Sequence, residues 1–206
     1  MKNISFVLFL CSFSLYAQEI KTHRIETTFS YGAAFIDYGG SQAEEVLNLG
    51  IPSIGSFYEL NVDLVLTQNR HVGIGFSRQQ HSNRVNDVFI VNNTTGIILS
   101  NYKNIHQKDF FDIHFRKSFN NKLQFTVGAF FFIEDLNLAG FSPINELPVF
   151  VLENEKNRSD NFGLFGALEY FYPIRSNIEI GIKTKLYISL NGIETVALLP
   201  SLRVNI

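Results

Sequence analysis

The chain is poor in cysteine: it has one, Cys11, and that lies inside an apolar run near the start. A disulfide framework is excluded. Tryptophan is missing and methionine occurs once, as the first residue, so the aromatic content rests on 21 Phe and 8 Tyr. There is no basic excess, since the formal charge is -2, and nucleic acid is excluded as a partner. After the first residues no run of about 20 apolar residues follows, which excludes a transmembrane helix. The five histidines are scattered without metal-ligand spacing, and no phosphate-cradling glycine motif is present, so neither a metal nor another cofactor is expected.

What is present begins with an export signal. Lys2 precedes the apolar stretch Ile4 to Leu15, and Tyr16-Ala17 supplies a small residue at the cut. Cleavage is expected between Ala17 and Gln18, leaving one domain over 18–206. Leu10 before Cys11 is not small, which argues against a lipoprotein signal.

The rest of the chain alternates with period two. The clearest stretch is the last, 177–206. Ile178, Ile180, Ile182, Leu186 and Ile188 share one parity there, against Glu179, Gly181, Lys183, Lys185 and Ser189. Across Asn191-Gly192, Val196, Leu198, Leu202, Val204 and Ile206 form a second apolar row, with Arg203 and Asn205 polar. This is a hairpin. A plain two-residue Asn-Gly turn would bring Arg203 onto the apolar face, because a one-residue slip inverts a strand. An extra residue is therefore expected in the loop, with Gly192 in a left-handed bulge.

Six further strands are predicted at 25–35, 56–67, from 71, 109–119, 123–133 and 162–172. Phe130 and Phe132 break the alternation of the fifth. The connections after the first, third and fifth are long, and 137–160 reads as a loop. Those after the second, fourth and sixth are turns. Eight antiparallel strands with short turns at one end and long loops at the other predict an all-β, up-and-down transmembrane β-barrel. Closure pairs every backbone group, as lipid requires.

The inward row decides between this and a soluble lipocalin-like periplasmic barrel, in which the apolar row would point inside. Its candidates are Glu26, Glu59, Asp63, Asp112, His114, Arg116, Glu169, Glu179, Lys183, Lys185 and Arg203. An eight-stranded barrel is just wide enough for side chains, so mixed signs there are expected to pair as a lumenal network. Small residues such as Gly73, Gly75 and Gly128 make room. Beyond the membrane, Val88 to Val91 and Ile97 to Leu99 flank the turn-forming 92–96 and predict a hairpin that either projects from the surface or folds over the barrel mouth as a plug. Phe89, Val91 and Ile98 are its candidate surface-binding residues.

With its alternating strands and terminal Leu202, Val204 and Ile206, the mature chain resembles the small outer-membrane barrel domains of the OmpA/OmpX type. The Ala17-Gln18 junction is similar to that of exported Bacteroidetes proteins. Barrels of that type usually end in an aromatic residue, where this chain has Ile206. The resemblance implies a bacterial outer-membrane location after signal removal. It also implies outer-membrane lipid and the barrel-assembly machinery as partners, while the hairpin's exposed edge and apolar patch would suit an extracellular protein or polysaccharide. Lipid A deacylases resemble the same barrel and carry His-x-Ser-Asn. Here His81, Ser82 and Asn83 are contiguous, and neighbours on a strand point to opposite faces. No catalytic residue is assigned. The expected function is non-enzymatic: envelope structure or surface binding through the loops. The alternatives are a lipid-modifying enzyme, a narrow channel and the soluble binding barrel.

Overall fold

The computed structural model describes residues 25–36, 53–85, 88–91, 95–98, 102–120, 122–143 and 150–206. Within 84–103 and 138–156 it describes the backbone course alone. The export signal and its cleavage bond lie outside these residues.

There are ten strands among them: β1 (Ile25–Phe35), β2 (Ile54–Thr67), β3 (Arg70–Val85), β4 (Val88–Val91), β5 (Thr95–Ile98), β6 (Tyr102–Ser118), β7 (Leu123–Pro143), β8 (Phe150–Arg175), β9 (Ile178–Ser189) and β10 (Gly192–Asn205). Eight close into an all-antiparallel barrel, in the order β1-β10-β9-β8-β7-β6-β3-β2. The short β4 and β5 pair only with each other, from Val88–Ile98 to Val91–Thr95. The expected hairpin is thus present as a separate two-stranded sheet, while the side chains of Phe89, Val91 and Ile98 lie outside the described residues.

Alternation of faces follows from the strand period. Phe29, Leu60, Ile74, Ile113, Leu164 and Ile182 are exposed on the outer wall, whereas Thr28, Glu59, Asp63, Asp112, Lys183 and Arg203 are buried inside. These are the faces of a barrel in lipid, opposite to those of a soluble one. Phe76, Phe111, Phe131 and Phe162 lie in register on the outer wall. Two residues further from the short turns, the same row becomes Arg78, Asp109, Ile133 and Asp160. Arg78 donates to Asp109 through Nε at 2.5 Å and a terminal nitrogen at 2.8 Å. An aromatic girdle followed by charge marks the upper limit of the apolar band. The band's other end carries Phe119, Tyr170 and Tyr172, all exposed.

Three corrections concern the strands. First, 137–160 is not a long loop. β7 and β8 stay paired from Leu123–Tyr170 to Pro143–Phe150, leaving only 144–149 as the connection. Likewise β3 and β6 pair as far as Val85–Tyr102. Apolar alternation records contact with lipid, and it stops at the band's edge although the ladder continues.

Second, the last hairpin turns at Leu190-Asn191, since Gly192 pairs with Ser189. Gly192 does adopt a positive φ, of 119°. The extra residue is not in the loop, however. The register shifts between Ile193 and Thr195, so Glu194 is the bulged residue, and both Glu194 and Thr195 are buried. A bulge re-aims a side chain, and this one turns a carboxylate into the lumen.

Third, Phe130 and Phe132 are inward residues rather than breaks in alternation. They belong to a buried cluster with Phe57, Phe110, Phe165 and Tyr187.

Candidate functional site

The lumen is built in three tiers. The lowest, near the short turns, holds the ionic side chains read from the inward parity. All eleven belong to it, and each is buried or half-buried. Their contacts cross the barrel. Lys183 Nζ on β9 donates to Glu59 Oε2 on β2 at 2.7 Å, and Lys185 Nζ to Glu59 Oε1 at 2.5 Å. Lys185 also reaches Asp112 Oδ2 on β6 at 3.1 Å. His114 lies between two carboxylates, with Nδ1 2.7 Å from Asp112 and Nε2 2.9 Å from Asp63.

Nearer the rim, Arg116 contacts Asp63 at 3.1 Å and also bonds Glu26 across the barrel. Arg203 joins Glu169 at 3.1 Å, Glu179 at 3.2 Å and Gln124 at 2.7 Å. It also approaches Glu26 to 3.9 Å across the β1–β10 seam, and Lys183 stands 3.6 Å from Glu169. His71 was not in the sequence-based set, yet its Nδ1 lies 3.3 Å from Glu26. Each cation faces at least one carboxylate, which is the condition for burying charge at tolerable cost. The close packing explains the glycines: a Cβ on Gly73 would sit 2.5 Å from both Asp63 Oδ1 and His114 Nε2.

The middle tier is aromatic. Phe110 stacks on Tyr187 at 4.3 Å between ring centroids, and Phe130 meets Tyr187 edge-on at 5.0 Å. Phe165 lies 5.4 Å from Tyr187, and Phe132 lies 5.4 Å from Phe110. Such arrangements suit the ring quadrupoles. Lys185 Nζ joins the two tiers, 4.0 Å from the Phe165 centroid and 4.7 Å from that of Tyr187. The Tyr187 and Ser77 hydroxyls are 3.2 Å apart. Rings from five strands thus close the lumen above the ions.

The third tier lies at the mouth. Thr195 donates to Gln79 Oε1 at 2.6 Å, and Gln79 Nε2 lies 2.7 Å from His81 Nε2. Lys108 donates to the bulged Glu194 at 2.5 Å, and His106 meets Glu134 at 2.5 Å. His81 is buried while Ser82 is exposed, so the two point to opposite faces and do not form a base–nucleophile pair. Among the described residues no group of three His, Cys, Asp or Glu is placed to hold a metal ion.

Glu134 stands beyond the charged outer ring and so outside the apolar band. Burial pushes its carboxyl up. The His106 hydrogen bond and the Lys108 charge outweigh burial and hold the carboxyl at about 2, against an ordinary 4.5. Its contribution to stability is therefore complete above about pH 4.5 and is lost as the pH falls toward 2. Glu134→Gln should destabilise the barrel at neutral pH, and the gap from the parent should close progressively in acid. Unfolding temperatures of the two proteins across that range check this.

No family model and no curated protein matches the chain. Solved structures do. Ail, the attachment invasion locus protein of Yersinia pestis, in complex with the heparin analogue sucrose octasulfate, is 7% identical. The match covers 90% of this chain and 100% of that one, with a TM-score of 0.56. The outer membrane protein OprG from Pseudomonas aeruginosa is 10% identical over 92% and 98% of the two chains, at 0.52. Neisserial surface protein A is 8% identical over 88% and 96%, at 0.51. The fold is that of the small outer-membrane β-barrels. At these identities the likeness is one of fold alone.

Proposed function

We propose that this protein is a non-enzymatic barrel of the bacterial outer membrane, delivered after removal of residues 1–17 and inserted by the barrel-assembly machinery. Its lumen is a brace, and its work is done by the strands that continue past the membrane. The observation that carries this is the aromatic tier. It closes the lumen between the ion network and the mouth, which disfavours a channel. The separation of His81 from Ser82 disfavours the deacylase reading. What remains for a partner is the extracellular structure: the extended β3–β6 and β7–β8 ladders and the separate β4–β5 hairpin.

Among the described residues the hairpin has two unpaired edges, and an edge is a template for an added strand. An extracellular protein or polysaccharide is the partner class, with Phe89, Val91 and Ile98 as the residues proposed to meet it. Ail, of the same fold, binds a heparin analogue, and heparin is therefore a reasonable first probe here.

The test removes 86–101 and joins Val85 to Tyr102 by a short turn, which preserves the observed pairing. The shortened protein should still assemble. Cells bearing the parent should adhere to plates coated with heparin or with matrix protein, and cells bearing the deletion should not. Protease added to intact cells should cut the parent within 86–101. Loss of assembly on deletion, or adhesion that survives it, contradicts the proposal.

A further inference from the structure

Pro200 stands in the middle of β10, in the apolar band. Proline cannot donate to a ladder and is disfavoured within a sheet. Its position is specific. On one side it pairs with Ile182 of β9. On the other, β10 meets β1 at the closing seam, where the paired residues run to Ser30–Ser201 and resume only at Ala33–Leu198. Between these Pro200 lies opposite Tyr31, without an N–H to offer the Tyr31 carbonyl. The missing bond therefore falls on the seam between the first and last strands, which is an open edge until the barrel closes.

The outer wall has a groove of about 720 Å³ at the same place. Pro200 is short between Leu198 and Leu202. Phe29 and Tyr31 wall the groove on the β1 side, and Tyr170 and Tyr172 of β8 wall it on the other. Ile180 and Ile182 line it between them. The lining is almost wholly apolar and faces lipid.

The lower end of the groove is cationic. Lys122 Nζ lies 5.0 Å from the centroid of the Tyr172 ring. Around the whole short-turn rim, the exposed charged residues among those described are Arg70, Lys117, Lys122 and Arg175, all cations. The rim's carboxylates, Glu26 and Glu179, are turned inward to His71, Arg116 and Arg203. An apolar slot that ends at a lysine, on a rim whose exposed charged side chains among the described residues are all cations, matches an acyl chain joined to a phosphate.

We propose that this groove binds one anionic phospholipid of the inner leaflet, with an acyl chain over Pro200 and its phosphate at Lys122. The bound lipid covers the incomplete rung and holds the β1–β10 seam closed. This inference rests on the membrane reading. A chain that fails to enter bilayers overturns both, whereas a chain that enters them without the lipid effects below overturns this one alone.

The experiment uses the mature full-length protein in nanodiscs of phosphatidylcholine, with or without phosphatidylglycerol. Unfolding temperature and native mass spectrometry are the readouts. The parent should retain one phosphatidylglycerol in preference to phosphatidylcholine, and its unfolding temperature should rise by several degrees when that lipid is present. Pro200→Val fills the notch and restores an N–H. It should raise the baseline without phosphatidylglycerol and abolish the lipid-dependent rise, two changes of opposite sign that simple damage does not produce. Lys122→Gln changes an exposed turn side chain whose backbone alone bonds Asn120 and Phe171. It should fold normally, and provides the test if Pro200→Val does not. It should lose the preference for phosphatidylglycerol while still retaining a lipid. An undiminished rise in Pro200→Val, an unchanged preference in Lys122→Gln, or a parent that retains no lipid would overturn the proposal. So would a parent that dimerises through the groove and returns to monomer in Pro200→Val, since a second copy would then be the occupant.

Discussion

Replacing Glu59 with leucine should lower the unfolding free energy of the barrel by about 3–5 kcal/mol, the cost of stranding a buried charge. Glu59 is wholly buried and accepts from both Lys183 and Lys185. Its loss leaves Lys183 with Glu169 at 3.6 Å and Lys185 with Asp112 at 3.1 Å, two ammonium groups on one strand with their shared anion gone. Leucine at 59 together with methionine at 183 and 185 should recover much of that loss. Asp112 keeps His114, and Glu169 keeps Arg203 and Thr126. Well-packed apolar groups often replace a buried ion set at little cost. Urea titration of the bilayer-folded proteins measures both. If the single change is silent, the cross-lumen network does not brace the barrel.

Val127→Arg should cost about 2–4 kcal/mol, the price of an arginine facing the bilayer midplane. Val127 is exposed on the outer wall and pairs with Phe115 and Gly166, well inside the band. One residue away, Thr126 points inward and donates to Glu169 at 2.8 Å. Thr126→Val removes that bond and keeps the shape, so about 1 kcal/mol is expected from the lost hydrogen bond. The contrast between neighbours reads the faces directly. A Val127→Arg protein as stable in bilayers as its parent would mean that this wall does not meet lipid.

The barrel, its closing seam and the lumenal ions were legible because parity couples one residue type to one face over many strands. A correct register in the last strand placed Arg203 inward, and the rest of the network shared the same row. The aromatic tier was less visible, although parity already pointed Phe57, Phe110, Phe130, Phe132, Phe165 and Tyr187 inward. An apolar ring suits either lipid or a packed lumen, so polarity alone does not assign it. Glu194 was illegible for another reason. Counting back from Val196 puts it outside, and only a bulge after Ile193 reverses that. Where a bulge falls depends on pairing with β9, which is not a local property of β10. The lengths of β7 and β8 were hidden because strands outside lipid no longer need an apolar row.

The inward turn of Glu194 shows how backbone irregularity and lumen chemistry are joined. It gives Lys108 a carboxylate at 2.5 Å on the opposite side of the mouth, and Ser189 donates to its other oxygen. Above the aromatic tier the described part of the lumen therefore ends in a second, smaller set of ions.

Fractionation of cells expressing the full chain, with heated and unheated samples run side by side on a denaturing gel, tests the central claim most directly. The account predicts a protein in the outer-membrane pellet that resists carbonate or urea washing and migrates faster unheated than heated, because the closed barrel survives detergent until boiled. A protein released with the soluble periplasmic contents, with the same mobility before and after heating, would contradict it.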